Sequence, residues 1–425
     1  MLDLIARHQA LVDAVEGRRE WEWDIWSMWI DEVEYLTAEG RSVAHWAVSV
    51  LEHSLGPTFL HDRKAIALLE ALGLWPLFSR SPVPWDYANL VQFAAQIEFL
   101  KLANSGFMKK LRRNLALEEW THAQLQLDTA CLGLLAGWQA QLEPPLVTGK
   151  PGDVRFVCDQ KHLFIEARLR YPPSAGLLGE KFFNSMVLFI SGLELQYPMH
   201  ITGEIGKPPP TKRLAQLRQR LEEAAQATSQ DGSERWVEDQ ERGTRLRVSK
   251  EATPAGVARL SMPIPPLSLD LLLECLDEKN VEYRGAVPPW VRIEERAGLW
   301  QFSELAALSS REARFDFLVL YFREKLTSSS NLAGMILSPK LLLTLQAPPD
   351  ARSSKIERDG GIAVRCPIPG RRVRETIIIP RGEHLTASAE AEMLAGWYEK
   401  EDDLLNWLLA RSGQQPFNVL VRDPK

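Results

Sequence analysis

The chain has 425 residues, 45% of them apolar and 25% charged, and carries a formal net charge of −6. This length predicts two or three domains with cores large enough to need no staples, and the composition excludes a disordered chain, a collagen-like repeat and a small disulfide scaffold. The mild acidity excludes a wholly basic nucleic-acid binder, so any such surface has to be a local patch.

The first 115 residues read as a helical domain, punctuated at Gly40, Gly56-Pro57 and Ser81–Pro84. The opening segment has no basic stretch followed by an apolar one, and no apolar run approaches 18 residues. The expectation is a cytoplasmic protein without a membrane segment. Trp21, Trp23, Trp26 and Trp29 crowd the second predicted helix, where Trp26 and Trp29 share a face with Ile25, Ile30 and Val33. A Trp-rich core or protein-partner surface suits this stretch better than a base-stacking platform, because Glu20, Glu22, Asp24 and Asp31 would repel phosphate. Lys109-Lys110-Leu111-Arg112-Arg113 closes the region, as cations at a helix C-terminus or as a phosphate-contacting patch.

A second organisation, residues 116–345, begins with a helical stretch over 117–137 stopped by Gly137. A short strand is expected over Glu143–Val147, then strands at 153–158 and 163–169 around a loop at 159–162. Helices follow at 178–194 and 211–227, the latter capped by Thr211, with an extended stretch at Tyr197–Ile205 between them. Thr228–Gly243 reads as a loop, and Arg245–Val248 with Val257–Ser261 as a hairpin. A helix at Leu267–Asp277, strands at Trp290–Glu294 and Leu299–Phe302, a helix at Ser309–Leu326 and a strand at Leu332–Leu337 complete it. Gln346–Gly361 reads as a linker. Strands near Ile362–Cys366 and Thr376–Ile379 and a helix over 387–411 make 346–425 a small α/β region. The predicted class is mixed α/β (α+β).

The chain has no Walker A loop, dinucleotide-binding glycine pattern, nucleophile elbow or zincin helix. The four cysteines, Cys131, Cys158, Cys275 and Cys366, are too far apart for a metal knuckle and fit a reducing compartment.

The chemistry-bearing segment is Pro151–Arg170. Strand alternation puts Asp153, Arg155 and Val157 on one face and Phe164, Glu166 and Arg168 on the same face of the next strand. With a four-residue loop, Arg155 pairs with Glu166 and Asp153 with Arg168, leaving the two acids diagonal neighbours. A register shift of two puts them directly opposite. Two readings follow: cross-strand ion pairs on a solvated face, or a carboxylate pair that shares a hard divalent cation.

The order helix, strand, acidic residue on a second strand, then Glu-Ala-Arg on a third resembles the PD-(D/E)xK superfamily, the restriction-endonuclease-like fold. The resemblance covers about residues 115–340. Asp153 matches its first acid, Glu166 its second and Arg168 its lysine. It departs in Gly152, which stands for proline, in Arg168, and in the helix, where Gln124 or Gln126 lies near the place of a supporting glutamate and Glu118 and Glu119 come earlier. The resemblance implies Mg2+- or Mn2+-dependent hydrolysis of nucleic acid, most naturally DNA. In that role Asp153 and Glu166 hold the metal, Arg168 stabilises negative charge and Gln124 orients water. Arginine stays protonated and cannot act as a base. An inactive nuclease fold serving nucleic-acid binding or assembly is the alternative. Lys212, Arg213, Arg218 and Arg220 form a weaker nucleic-acid candidate on the 211–227 helix; Arg311, Arg314 and Arg323, and the Arg371-Arg372-Val373-Arg374 run, are others.

Overall fold

A computed structural model describes residues 23–24, 30–31, 33, 35–59, 84–103, 120–146, 149, 151–170, 174–251, 260–262, 266–283, 287–295, 301–328, 331–339, 351–368, 372–382 and 385–422. Trp21, Trp26, Trp29, Glu118, Glu119, the Lys109–Arg113 run, residues 257–259 and Arg371 lie outside the described residues. In chain order the elements are α1 (Ala38–Leu55), α2 (Pro84–Ala103), α3 (Trp120–Leu135), β1 (Gln139–Leu142), β2 (Val154–Cys158), β3 (Lys161–Arg170), α4 (Ser174–Gln196), β4 (His200–Glu204), α5 (Thr211–Asp231), β5 (Arg235–Asp239), β6 (Thr244–Ser249) and β7 (Leu260–Ser261). They continue with β8 (Pro266–Leu267), α6 (Asp270–Glu282), β9 (Trp290–Glu295), β10 (Gln301–Phe302), α7 (Arg311–Ser328), β11 (Gly334–Pro339), β12 (Ser354–Arg358), β13 (Gly361–Ile368), β14 (Arg372–Pro380), α8 (Leu385–Tyr398), α9 (Glu401–Arg411) and α10 (Phe417–Leu420). The class is mixed α/β, and no helix among the described residues is long and apolar enough to cross a membrane.

The chain divides into two compact units. Nearly all described residues of the first lie within Pro172–Pro265; the second comprises Val33–Phe59, Val83–Tyr171 and Pro266–Lys425. This differs from three consecutive domains bounded at 115 and 345. The C-terminal strands extend the central sheet instead, because β14 pairs antiparallel with β11 through Met335↔Ile379 and Ile336↔Ile378.

The second unit is built on an eight-stranded sheet of order β1-β2-β3-β9-β11-β14-β13-β12. β3, β9 and β11 run parallel at its centre and the other pairings are antiparallel. Parallel strands need both faces covered, which is why Trp290, Val291, Ile293, Met335, Ile336 and Leu337 form nearly continuous buried apolar runs. α3 packs on β1–β3, α6 on β3 and β9, α7 on β14, and α8 on β13 and β14. The Thr37 hydroxyl caps α1 by accepting from the Gly40 N–H at 3.0 Å. α3 stops where the sequence predicts, with Gly137 at φ 88° and the Trp138 N–H returning to the Gly133 carbonyl at 2.9 Å.

Four local expectations shift. The strand expected at Glu143–Val147 is β1, at Gln139–Leu142: Glu143 takes φ 52°, and Pro144 and Pro145 lack the N–H that a ladder needs. The expected loop Thr228–Gly243 contains β5, and the expected linker Gln346–Gly361 contains β12. Both strands are polar because antiparallel edge strands keep solvent on at least one face. The single helix expected over 387–411 is two, α8 and α9, separated at Glu399-Lys400.

In the first unit, β5-β6-β4-β7 form a four-stranded sheet. Phe182, Met186, Ile190 and Leu193 of α4 and Leu217, Leu221 and Ala225 of α5 recur at helical spacing and bury against Ile201, Val237, Leu246 and Val248. Thr211 is the first residue of α5 rather than its cap; Pro210 holds the cap position without a side-chain bond.

At Gly334, a Cβ would lie 2.4 Å from the Trp290 ring and 2.6 Å from the Ile379 carbonyl, with strands on both sides. Gly334→Ala is expected to lower the unfolding free energy by about 1–3 kcal/mol, read from urea melts of the two proteins.

Candidate active site

The β2–β3 hairpin closes through a two-residue turn, Asp159-Gln160, with Asp159 at φ 52°. Its register pairs Cys158 with Lys161, Arg155 with Phe164 and Val154 with Ile165. This differs from the four-residue loop, 159–162, that the sequence predicts. The tighter turn is preferred because its backbone twist matches that of the strands. The register is therefore shifted by two, and the next position beyond the ladder brings Asp153 opposite Glu166. Arg155 is not paired with Glu166: its guanidinium is 2.9 Å from His162 Nδ1 and over the Phe164 ring at 5.8 Å.

The two acids clasp the strands where the ladder stops. Glu166 Oε1 accepts from the Asp153 N–H at 2.9 Å, and Asp153 Oδ2 accepts from the Ala167 N–H at 2.8 Å. Each carboxylate thus satisfies a backbone donor that the ladder leaves unused. Gly152 is explained by the same crowding. A Cβ there would lie 3.0 Å from the Tyr283 hydroxyl and 3.2 Å from Glu166 Oε1, and its N–H, which proline lacks, donates to the Pro144 carbonyl at 2.9 Å.

α3 supplies the second wall. His122 and Gln126 are one turn apart on one face. Gln126 Nε2 donates to Asp153 Oδ1 at 2.5 Å, and His122 Nε2 lies 3.5 Å from the same oxygen. Gln124 is buried but lies two residues off this face, so the amide beside the first acid is that of Gln126.

α6 supplies the third wall. Lys279 Nζ is 2.6 Å from Glu166 Oε2 and 2.5 Å from Glu282 Oε2, with only 3% of the residue exposed. The Tyr283 hydroxyl donates to Glu166 Oε1. Arg168 reaches the cluster from its more open side, with NH1 3.9 Å from Asp153 Oδ2 and NH2 4.0 Å from both Glu166 Oε2 and Glu282 Oε2. Three carboxylates, of Asp153, Glu166 and Glu282, therefore face one lysine and one arginine. Burial raises the Glu166 carboxyl above its ordinary pKa, the Asp153 charge adds to this, and Lys279 and the Tyr283 hydrogen bond oppose it. Burial, followed by the Glu166 charge, raises the Tyr283 phenol and keeps it a donor.

Lys279, Tyr283 and His122 are not picked out by the sequence, and Gln126 enters there only as the alternative to Gln124. The available signal was Lys279 in the stripe Leu272, Cys275, Leu276, Lys279, Tyr283, whose steps of three, four and seven place a lysine on the buried face of α6. Such a lysine needs a counter-charge, and Glu166 is that counter-charge.

The weaker nucleic-acid candidates lie in the first unit. Lys212 and Arg220 are exposed, and Arg220 donates to the Glu238 carbonyl at 3.1 Å. Arg213 is spent on Asp239, at 2.8 and 2.6 Å, and on Glu241. Arg218 donates to Ser185 at 2.8 Å and lies over the Phe189 ring. In the second unit Arg311 is paired with Glu375, Arg314 donates to the Leu308 carbonyl, Arg323 to that of Asp359, and Arg374 is paired with Glu401.

Among the described residues, no three His, Cys, Asp or Glu side chains converge in metal-ligand geometry. Comparison with protein-family models, curated proteins and solved structures finds no match to this chain.

Removing Lys279 leaves Glu166 buried without its closest cation. Lys279→Met is expected to lower the unfolding free energy by about 3–5 kcal/mol, and Lys279→Met/Glu166→Gln to recover most of it. Urea melts of the parent and both variants measure this; a single variant as stable as the parent would refute the pairing.

Proposed function

We propose that the second unit is a restriction-endonuclease-like core and that the protein hydrolyses nucleic-acid phosphodiester bonds, most naturally those of DNA, with Mg2+ or Mn2+. The observation that carries this reading is the opposition of Asp153 and Glu166 across the hairpin, with Lys279 and Arg168 against them. The four unpaired cysteines suit a reducing compartment such as the cytoplasm.

The donor set fits a hard dication. Among the described residues, Asp153 Oδ1, Asp153 Oδ2 and Glu166 Oε2 each take one close donor, from Gln126, Ala167 and Lys279, so each keeps a second lone pair. Mg2+ is commonly held by one or two carboxylates and several waters, and needs no third side chain. Asp153 and Glu166 would hold the ion, which when bound supplies an acidified water and neutralises phosphoryl charge. The chain's own residues do the rest. Gln126 and His122 are positioning residues that fix the Asp153 carboxylate. Lys279 stands in for the lysine that Arg168 replaces: its ammonium, already beside Glu166, stabilises developing negative charge on phosphate oxygens. Arg168, on the open side, binds the phosphodiester; its guanidinium orients and does not accept a proton.

One observation favours a second reading, an inactive nuclease fold used for nucleic-acid binding or assembly. Lys279 and Arg168 already give Glu166 two cationic neighbours, which compensate its charge without a metal.

Manganese titration calorimetry separates the two without a substrate. The expected result is binding by the parent that is lost in Asp153→Asn and Glu166→Gln. Binding weakens as pH falls, because the raised Glu166 carboxyl must lose its proton to take up metal. Cleavage of single- and double-stranded oligonucleotides in Mn2+ is expected to fall by about 10²–10³ in Lys279→Ala with manganese binding retained. A parent that binds no manganese and cleaves neither substrate overturns the nuclease reading and leaves the second.

A further inference from the structure

The eight-stranded sheet ends in two unlike edges. β1, at one edge, is four residues long and is followed by Glu143 in the left-handed region and by Pro144 and Pro145, which block strand addition. β12, at the other edge, is Ser-Lys-Ile-Glu-Arg, and all five of its residues are exposed, Ile356 at 38%. Among the described residues, no strand pairs with its outer side.

The hydrogen-bonding phase of that outer side follows from the hairpin. β12 and β13 are joined by Asp359-Gly360, with φ of 53° and 80°, the signature of a type I′ turn, and Arg358 pairs with Gly361 across it. In a two-residue hairpin the pair flanking the turn exchanges both backbone hydrogen bonds, and the pattern alternates from there. Arg358, Ile356 and Ser354 therefore turn their backbone groups towards β13. Lys355 and Glu357 turn theirs outward, and their side chains share the face opposite that of Ile356.

We propose that β12 pairs antiparallel with β12 of a second copy of this chain, about a two-fold axis at Ile356, joining two eight-stranded sheets into one. In this register Lys355 faces the partner's Glu357 and Glu357 faces the partner's Lys355. These are the residues with outward backbone groups, so each pair makes two backbone hydrogen bonds, about four in all. Ile356 meets the partner's Ile356 in the non-hydrogen-bonded pair, where side chains approach most closely. Centring the axis on Lys355 or on Glu357 keeps the hydrogen-bonding phase but sets like charges face to face. Charge, backbone phase and the one apolar side chain thus select the same register, and the segment complements itself, as an isologous interface requires. Lys355 is already held 3.0 Å from Glu357 and 2.7 Å from Glu392, so its ammonium is in place along the edge before pairing. Arg358 is held by Asp316 at 2.7 Å on the other face, clear of the Lys355 pairs.

A five-residue strand pair buries less than the roughly 1,200 Å² of standard interfaces, so the dimer is weak, with a dissociation constant of about 10–100 µM. Sedimentation velocity of the full chain from about 2 to 300 µM tests this, with circular dichroism confirming that each variant is folded. The parent is expected to pass from monomer to dimer across the range. Lys355→Glu sets glutamates face to face and weakens the dimer at least about tenfold. Lys355→Glu/Glu357→Lys reverses both charges, restores self-complementarity and returns the constant to within about threefold of the parent. Ile356→Lys, on an exposed site that tolerates it, places two ammonium groups at the axis and abolishes dimerisation. A parent that stays monomeric up to about 300 µM overturns the proposal, as does a double reversal no better than the single one or an Ile356→Lys protein that dimerises like the parent.

Discussion

A slip of one residue at the Asp159-Gln160 turn would carry Glu166 to the opposite face of the sheet, and a slip of two would set it against Arg155. The turn prevents both by accepting a left-handed conformation at Asp159, which an aspartate tolerates better than most side chains. Everything at the candidate site descends from that register. It ends the ladder at Val154–Ile165, leaves the Ala167 N–H and the Asp153 N–H without strand partners, and gives each to the carboxylate of the other strand. The acids hold the hairpin open at its end and are held by it.

Glu166 is 2% exposed, and a carboxylate at that depth is costly unless it is paired and hydrogen-bonded. Its partners come from three directions: the Asp153 backbone, Tyr283 and Lys279 from the end of α6, and Arg168 from its own strand. The packing of α6 on β3 is consequently an electrostatic contact as much as an apolar one. Leu272, Cys275 and Leu276 bury the helix, and Lys279 sets its rotation and axial position against Glu166. The same arrangement leaves Arg168 as the cation nearest to solvent. The more buried cation is thus an ammonium arriving from a helix, and the strand carries the more exposed guanidinium.

Strong periodicity made much of the second unit legible. The central strands β9, β11 and β14 and the helix α7 carry apolar runs that composition alone identifies, and Gly137 stops α3 where it should. The acid pair was legible as residue types and as a face, because alternation along a strand is a local property. The opposition of Asp153 and Glu166 was not, since it depends on the choice between two turn lengths that both bring the charged residues onto one face. β5 and β12 were missed because antiparallel strands with solvated faces read as polar loops. Lys279 was missed for a different reason. A lysine on an apolar stripe is ordinarily a long side chain reaching out to water, and only the distant Glu166 makes it a buried ion. Sequence separation hides such pairs even when each half is visible.

α3 is the element through which this cluster is joined to the rest of the second unit. His122 and Gln126 face Asp153, and Thr129, one turn further along the same stripe, accepts from Arg292 at 2.7 Å. Asp128 faces away and accepts from Gln92 and Gln96 of α2, at 3.2 and 2.6 Å. Arg292, on the central strand β9, is wholly buried. Burial works against its charge, but Tyr398, Glu294, Glu401 and Asp128 around it outweigh that cost, and its pKa lies above the ordinary value. Arg374, paired with Glu401, belongs to the same group. A second ionic network therefore lies beneath α3, around Arg292 and Arg374. Apolar packing through Ala123, Leu125, Leu127, Ala130 and Leu132 alone would fix the rotation and axial position of α3 less tightly. Polar contacts along one stripe, to Asp153 and to Arg292, and from Asp128 to α2 on another side, admit one rotation and one axial position. The buried charges of the sheet centre thereby fix the geometry of the carboxylate at its edge.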